Sequence, residues 1–598
     1  MKKWTSKVFI GGVLLFLYLP ILVLVIFSFN DTKLNILFEG FTLEWYSVLL
    51  ENRTLLESLK NTLIVASLST LISTIIGTIS AYGLSRYNFR GKSLINSLLY
   101  IPIVMPDIVI GISLLAIYTL MRFKLGMFTL ILAHITFSIP YVLVSVRSAL
   151  EGMNPYLEEA SSDLGANSIE TFFRITLPSI MPGILSGALL VFTLSMDDVV
   201  ISYFTAGPDA ITLPQYIYSM IKSGITPDVN ALFSLMLLVT LIGVTIYSYA
   251  LFKKRVRGRS KYFLLIICLF CLTGCVKEEK EVINVLNWSS YIPDSVIRDF
   301  EEEYNIEVNY STYSSNEELL AKVSSVGEGT YDLVFPSDYM IEIMRSKNLI
   351  QKIDKSKLNN YKYIDYKYLG LDYDVNNEYS IPFLSAGIVL AVNKDSVRDE
   401  ISGYSDLVNS KYKNSIVLVD DTRIVIGSAL MALGYDMNSV DKEKLEEAKE
   451  WLLRLKPNIK AFDSDSPKSF LISRESSIGL MWSAEAIMAK EYNPNIEIII
   501  PKEGYTISID NFAIMKGSRN IDNVYLFIDY ILDSDVMEKI VNYYPYSSVN
   551  VETNRRISMN KEIGYDYSRM LNMVSRGKRV RNIGQSISIY DKIWASIK

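Results

Sequence analysis

The sequence predicts two unlike domains in one chain: an all-α domain with six membrane spans, followed by a two-lobed α/β domain. Half of the 598 residues are hydrophobic and the mean hydropathy is +0.24, which is high for a soluble protein. Charge also divides the chain, since residues 1–275 carry 20 Lys and Arg against 15 Asp and Glu, whereas residues 276–598 carry 39 against 49. Long apolar stretches end before residue 253, and short strand and helix patterns alternate after residue 281.

The composition excludes several classes of protein. Neither half is a strongly basic globular domain, so nucleic acid is not expected as a partner. The three cysteines lie within eight residues of one another, which leaves no disulfide framework. His134 is the single histidine, which excludes a multi-histidine metal site, and we expect neither a metal nor a cofactor.

Six apolar stretches approach the ~20 residues that a helix needs to cross a bilayer. They are Val8–Phe27, Thr62–Gly83, Ile95–Tyr118, Phe128–Ala149, Ile180–Met196 and Ala231–Phe252. The first could instead be a cleaved signal peptide, but it lacks a small-residue cleavage site, which favours a retained anchor. Pro102, Pro106 and Pro140 predict kinks or breaks in two of the spans.

The basic residues predict the orientation of these spans. The Lys2–Lys7 end, the Arg86–Lys92 loop and the Lys253–Lys261 run fall on one side under strict alternation, and such clusters face the cytoplasm. Residues 1–252 then form a multi-pass cell-membrane domain, and residues 276–598 are extracytoplasmic.

The predicted cytoplasmic loop 150–178 carries the most specific motif of this half. It reads Glu159-Ala160-Ser161, then Gly165, then Ile175-x-Leu177-Pro178. Its pattern alone is that of an amphipathic interfacial helix. The spacing resembles the EAA loop of ABC-transporter permeases, with Ser161 where that family usually has alanine. The resemblance implies a coupling helix that docks on a separate ATPase subunit.

Further segments of residues 1–252 resemble the second permease subunit of spermidine/putrescine ABC importers. They are Tyr18–Ile21, Ser28–Asn30, Arg86–Lys92, Pro106–Val109, His134–Phe137 and Thr193–Val200. The resemblance implies a MetI-like fold and a second permease subunit as partner. It does not extend to ATP binding, because Gly91-Lys92-Ser93 has Arg86 where a phosphate-binding loop needs its first glycine.

Three carboxylates lie in or beside apolar spans, where an unpaired charge is costly. Asp107, Asp197 and Asp198 cap broken helices, or pair with a second subunit, or line a cation path. His134 is predicted to be a helix-packing residue.

Residues 253–275 form a basic linker followed by a segment typical of lipoprotein signals. A basic run and a short apolar stretch precede Leu272-Thr273-Gly274-Cys275, which predicts lipidation at Cys275 and cleavage before it. The alternative is an uncut seventh span. A signal in mid-chain is what the fusion of two adjacent genes would produce.

Residues 276–598 alternate strand and helix patterns, which predicts two α/β lobes with largely parallel sheets. Ligands of such folds bind in the crevice at the carboxyl ends of strands. Five clusters that mix aromatic with acidic or hydroxyl side chains are predicted to lie there: Asn287–Tyr291, Pro336–Tyr339, Asp420–Arg423, Met481–Ser483 and Ser508–Asn511. Carboxylates for ammonium groups and aromatic walls for methylenes suit an aliphatic polyamine.

Segments across this half resemble the spermidine/putrescine periplasmic binding proteins. They are Asn287–Pro293, Tyr310–Tyr313, Tyr331–Val334, Gln351–Leu358, Tyr379–Pro382 and Pro501–Gly504. The resemblance implies a type II binding-protein fold, with lobe one at about 282–386 and 510–554 and lobe two at about 387–509 and 555–598. It places ligand contacts at Trp288, Tyr291, Ser337, Tyr339, Asp421, Trp482, Asp510 and Tyr544.

The chain departs from that family at four ligand positions. Ser290 and Ile424 stand where the family has acidic residues, Ser508 replaces a tryptophan and Val580 a glutamine. Three residues could compensate, namely Asp338, Glu485 and Tyr505. The sequence therefore predicts the permease and binding component of a polyamine ABC importer. The alternatives are an importer of another small cation or organic solute, and a membrane-tethered receptor or adhesin.

Overall fold

The computed structural model describes residues 2–31, 38, 40–154, 156–223, 227–253, 280–289, 291–313, 315–464, 466–561 and 563–598. The predicted lipidation site at Cys275 and most of the basic linker lie outside these residues, as does Ser290. The first domain is helical throughout. Its helices are α1 Lys2–Phe27, α2 Glu44–Glu51, α3 Arg53–Arg86, α4 Lys92–Val104, α5 Asp107–Leu120, α6 Met127–Glu151, α7 Tyr156–Asp163, α8 Ser168–Thr171, α9 Leu177–Asp197, α10 Val200–Thr205, α11 Leu213–Ser223 and α12 Pro227–Lys253.

Each predicted span coincides with a helix or a helix pair. Among the described residues, four stretches are long and apolar enough to cross a membrane, or five if the bent pair α4–α5 is one span. That pair bends by 112° before Pro106, as its proline predicts, whereas α6 continues through Pro140. The sixth predicted span falls on α12, whose described apolar part is shorter. The number of six spans stays a prediction.

Helices α3, α6 and α9 pack closely because glycines face their neighbours. A Cβ at Gly77 would lie 2.8 Å from Val142, and one at Gly183 would lie 2.4 Å from Ala149. Small residues let helix backbones approach, which is the main source of packing between helices in a bilayer. The core of the first domain therefore lies between these three helices, around Val142, Val146 and Val191.

The described residues of the second domain form eleven strands. They are β1 Glu281–Trp288, β2 Ile306–Tyr313, β3 Leu333–Val334, β4 Ile381–Asn393, β5 Ile416–Leu418, β6 Ile459–Phe462, β7 Ile478–Trp482, β8 Ile496–Ile499, β9 Thr506–Ile514, β10 Ser547–Ser548 and β11 Lys578–Arg579. Its α-helices are Asp294–Tyr304, Asn316–Ser325, Asp338–Ser346, Thr422–Ala432, Lys442–Leu455, Pro467–Ile472, Ser483–Tyr492, Ile521–Leu532, Ser534–Tyr543, Val551–Ile557, Gly564–Met573 and Ile587–Ile597.

Two long strands, β4 and β9, connect the lobes. The strand order is β2-β1-β3-β9-β4-β7-β5-β6. In lobe one β1 is parallel to β2 and β3, and in lobe two β5 is parallel to β6 and β7. However, β4 and β9 run antiparallel to each other and to the strands they join. The sheet is therefore mixed rather than largely parallel, because each crossing strand enters a lobe from the opposite direction.

The second domain contacts one end of the first through lobe one. Arg53, the first residue of α3, pairs with Glu301 at 3.2 Å. Tyr203 of α10 donates a hydrogen bond to Glu318, and Lys322 lies 4.7 Å from the centre of the Tyr203 ring. These contacts lie at the opposite end of α3 from Arg86, the end that meets the loop 150–178.

Candidate ligand-binding cleft and coupling loop

Asp510 is the centre of the cleft. It lies on β9 and is 4% exposed. Its Oδ2 accepts a hydrogen bond from the Tyr291 hydroxyl at 2.5 Å, and its Oδ1 accepts one from Ser337 Oγ at 2.6 Å. Burial raises the pKa of Asp510 to about 6, and the donors Ser337, Tyr291 and Ser508 oppose the rise. A buried carboxylate of this kind gains most from a cation.

Aromatic rings line the cleft beside Asp510. The rings of Trp288 and Tyr291 lie 6.4 Å apart, and Tyr291 packs on Tyr546 at 4.6 Å. The Trp288 indole is fixed by a 2.9 Å hydrogen bond from Nε1 to the Phe335 carbonyl. Such rings offer apolar surface to methylenes and a negative face to an ammonium group.

A second set of polar side chains, Tyr339, Glu317 and Asp421, lies where the two lobes meet. Tyr339 of lobe one contacts the apolar clusters of both lobes, and its hydroxyl lies 3.3 Å from Oε1 of Glu317. Asp421 of lobe two caps the helix Thr422–Ala432, since its Oδ1 accepts hydrogen bonds from the backbone nitrogens of Arg423 and Ile424. Burial raises the pKa of Asp421, and the negative charge of Glu317 adds to that rise.

Asp338 lies behind the cleft, at the start of the helix that follows Ser337. It is 2% exposed, and its Oδ2 has no hydrogen-bond partner among the described residues. Burial raises the pKa of Asp338 to about 8, although the positive charge of Arg579 opposes the rise. Burial therefore favours the neutral form of Asp338 in this conformation.

The other predicted contacts are less closely tied to Asp510. Trp482 ends β7 and packs against both large cores, and Tyr544 is half-buried after the helix Ser534–Tyr543. Glu485 already has a cation, because its two oxygens lie 3.0 and 2.8 Å from the buried Lys468 ammonium. The structure thus favours a structural role for Glu485. Tyr505 donates to the Met573 carbonyl at 3.2 Å.

Sequence reasoning missed two side chains of the cleft. Tyr546 lies two residues beyond the predicted Tyr544, and its ring packs at a tilt against that of Tyr291. Glu317 follows the end of β2 and reaches Tyr339. The same strand-end rule that selected the other clusters would have found Glu317.

The membrane aspartates do not share one environment. Asp198 accepts hydrogen bonds from the backbone nitrogens of Ile201 and Ser202, so it caps α10, and it lies 3.5 Å from His134 Nε2. His134 is fully buried and contacts Ser195 and Ser202, as a packing residue should. Asp107 and Asp197 are exposed in the described chain. The cation path along Asp107, Asp197 and Asp198 stays a prediction.

The predicted coupling loop, residues 150–178, has an outer and an inner face. Glu159 is exposed, whereas the Glu158 carboxylate turns inward to Arg86 and Thr176. Ser161, which replaces the usual alanine, contacts the Thr171 hydroxyl at 3.0 Å. Gly165 has a φ of +86°, which favours glycine.

The residues Ile175, Leu177 and Pro178 lie where the loop enters α9. A π-helical turn, Phe172–Thr176, precedes that helix. Ala160 lies exposed on α7. In the part of the chain that the structure describes, no group of three or more His, Cys, Asp or Glu residues is arranged to hold a metal ion.

The fold and the cleft define an importer component that unites a membrane domain with a solute-binding domain. Residues 73–258 match the family described as the binding-protein-dependent transport system inner membrane component. Residues 295–561 match the bacterial extracellular solute-binding proteins.

Individual relatives narrow this class. The spermidine/putrescine transport system permease protein PotC of Escherichia coli is 41% identical over 252 residues, which are 42% of this chain and 95% of the relative. The spermidine/putrescine-binding periplasmic protein of Salmonella typhimurium is 34% identical over 324 residues, 54% of this chain and 92% of the relative. A solved spermidine/putrescine ABC transporter structure from Listeria monocytogenes is 31% identical, with a TM-score of 0.50, over 53% of this chain and 98% of that chain.

The chain belongs to the spermidine/putrescine ABC importer family, in which it joins a MetI-like permease domain to a type II solute-binding domain. It is an inner-membrane transport protein.

Proposed function

We propose that the chain captures a polyamine outside the cell and passes it through a path that its membrane domain shares with a second permease subunit. The observation that carries the ligand class is Asp510, a buried carboxylate beside aromatic rings in the crevice between two lobes. The contacts we assign are the eight residues predicted from the sequence, together with Tyr546 and Glu317. We also assign Asp338 as a ligand contact. We do not assign Glu485, because it already pairs with Lys468.

The remaining assignments follow the sequence predictions. Residues 1–252 form the multi-pass permease, residues 253–275 the linker with its lipoprotein signal, and residues 276–598 the extracytoplasmic binding domain. A separate ATPase docks on the loop 150–178, since the chain lacks a phosphate-binding loop of its own. The contacts at Arg53 and Tyr203 support docking of lobe one on the outer face of the permease.

Titration calorimetry of the full chain in nanodiscs tests the ligand. Spermidine and putrescine should bind, whereas 1,4-butanediol, which has the length of putrescine without its charges, should not. Equal binding of the diol would exclude an ammonium site. Absence of binding by both amines would exclude the polyamine class.

Another small organic cation is the second candidate ligand. Ile424 is 1% exposed and Val580 is 9% exposed, so apolar side chains occupy two positions where the family has polar ones. A cation with one charged end would tolerate this better than a triamine. The same titration separates the two, because a monoamine that binds more tightly than putrescine and spermidine would favour this second candidate. A tethered receptor or adhesin is disfavoured, since it has no use for an ATPase-docking loop.

Cleavage at the junction is tested by immunoblotting native membranes with an antibody to the second domain. A band near half of the full 67.9 kDa, lost in Cys275→Ala, would support the lipoprotein signal. A single full-length band would support the seventh span.

A further inference from the structure

The two neighbouring glutamates of the coupling loop have different environments. Glu159 belongs to the motif and is exposed. Glu158 is only 20% exposed at its side chain, and its two oxygens have separate partners. Since adjacent residues on a helix are about 100° apart, one of them faces outward and the other faces the membrane helices.

The partners of Glu158 lie at the end of one membrane helix and directly before another. Its Oε2 lies 3.0 Å from Nε of Arg86, the last residue of α3. Its Oε1 accepts a hydrogen bond of 2.7 Å from the buried Thr176 hydroxyl, directly before α9. A cation at a helix C-terminus is favoured by the helix dipole, so Arg86 is well placed to hold this carboxylate.

A second contact brings the same elements together on the apolar side. The Tyr82 ring, one turn before Arg86, packs edge-on against Phe172 at 4.9 Å. The opposite face of the loop leaves large apolar side chains exposed: Tyr156 at 70%, Leu164 at 90%, Ile169 at 70% and Phe173 at 61%. The outer face is thus available to a partner, while Glu158 belongs to the inner face.

We propose that Glu158 is the positioning residue that fastens the coupling loop to α3 and α9, so that a movement imposed on the loop reaches both helices. This inference rests on the proposed function, in which a separate ATPase docks on the loop. It assigns Glu158 a role that the motif itself does not contain, and it separates that role from Glu159.

Amide hydrogen exchange tests the attachment of the loop to α3 and α9 without any measurement of transport. Amide hydrogen exchange of the full chain in nanodiscs should be faster in Tyr156–Asp163 for Glu158→Gln than for the wild type. The charge exchange Arg86→Glu with Glu158→Arg should restore slow exchange, and Thr176→Val should have an intermediate effect. Unchanged exchange in Glu158→Gln would overturn the proposal, whether or not the complex transports.

The functional part uses the complex with its ATPase and second permease in proteoliposomes. Glu158→Gln should keep ligand binding and ATPase attachment but lower the uptake per ATP hydrolysed by roughly 2- to 30-fold, and the charge exchange should recover it. Glu446→Gln is the control, because it removes a surface Lys–Glu pair within the helix Lys442–Leu455, outside the coupling loop. Full uptake by Glu158→Gln, or an equal loss in Glu446→Gln, would overturn the role in coupling. Lack of cation uptake by the wild type would instead refute the proposed function.

Discussion

Replacing Asp510 by asparagine should remove most of the affinity for a polyamine. The change keeps the shape of the side chain but removes the charge that faces the ligand ammonium. Truncating one partner of a buried, hydrogen-bonded charge pair costs about 2–5 kcal/mol. Each ~1.4 kcal/mol changes a dissociation constant tenfold. The dissociation constant should therefore rise by a factor of between roughly 30 and several thousand.

The pKa of Asp510 adds a second, independent expectation. In the protein without ligand, the Asp510 carboxyl has a pKa of about 6. A cationic ligand favours the ionised form of this carboxyl. Protons therefore compete with the ligand below that pH, and the affinity of the wild type should fall by about tenfold per pH unit there. Above pH 7 the affinity should be nearly constant. Asp510→Asn should lack this dependence, because it has no proton to bind.

The assay is titration calorimetry of the full chain in nanodiscs at pH 5, 6, 7 and 8. Asp332→Asn is the matched control, since Asp332 is also buried and accepts two hydrogen bonds, from Asn284 and Ser518, away from the cleft. Wild-type affinity in Asp510→Asn at pH 7 would show that the ligand does not contact this carboxylate. A pH dependence that survives in the variant would assign the titration to another group.

Three further predictions concern stability and coupling. Folding raises the pKa of Asp338 to about 8, so its contribution to stability is present below about pH 4 and is lost as the pH rises towards 8. Asp338→Asn should therefore make the melting temperature of the second domain depend less on pH between about 4 and 8, and an unchanged pH dependence would contradict this. Lys468→Met should lower the free energy of unfolding by ~3–5 kcal/mol, because Glu485 is left buried and unpaired. The double variant Lys468→Met with Glu485→Gln should recover part of this loss. Equal melting temperatures of the wild type and Lys468→Met would exclude a stabilising ion pair. Gly165→Val should strain the positive φ by ~1–2 kcal/mol and lower uptake without changing calorimetric ligand binding, so loss of both would indicate misfolding.

The sequence was most informative where one segment determines its own structure. The helical patterns of the sequence at Asp294–Tyr304 and Ile521–Leu532 predict helices with these bounds, and the structure has both helices there. Each amphipathic pattern is complete within its own segment. The sequence pattern does not predict strand β9, because Ser508, Asp510 and Asn511 interrupt its apolar residues. The strand tolerates the two buried polar side chains because each has partners: Asp510 accepts hydrogen bonds from Tyr291 and Ser337, and Asn511 accepts one from Tyr373.

Long-range pairing explains what could not be predicted at the site. The spacing of Lys468 and Glu485 does not indicate that they form a buried ion pair, because they lie on different helices. The likeness to polyamine-binding proteins located Asp510, Tyr291 and Ser337, and the structure brings these three together. Which of Glu158 and Glu159 faces the membrane helices depends on the rotation of α7 about its axis. The periodicity of an eight-residue helix is too short to predict that rotation.

Helix α3 has a consequence for the geometry of the whole chain. Its 34 residues contain no proline and extend for about 50 Å. Arg53 at its first position pairs with lobe one, and Arg86 at its last position pairs with the coupling loop. The two ion pairs therefore have a fixed angular phase. One inserted residue would turn one end by about 100° relative to the other, whereas seven inserted residues would restore the phase to within about 20° while adding about 10 Å of length.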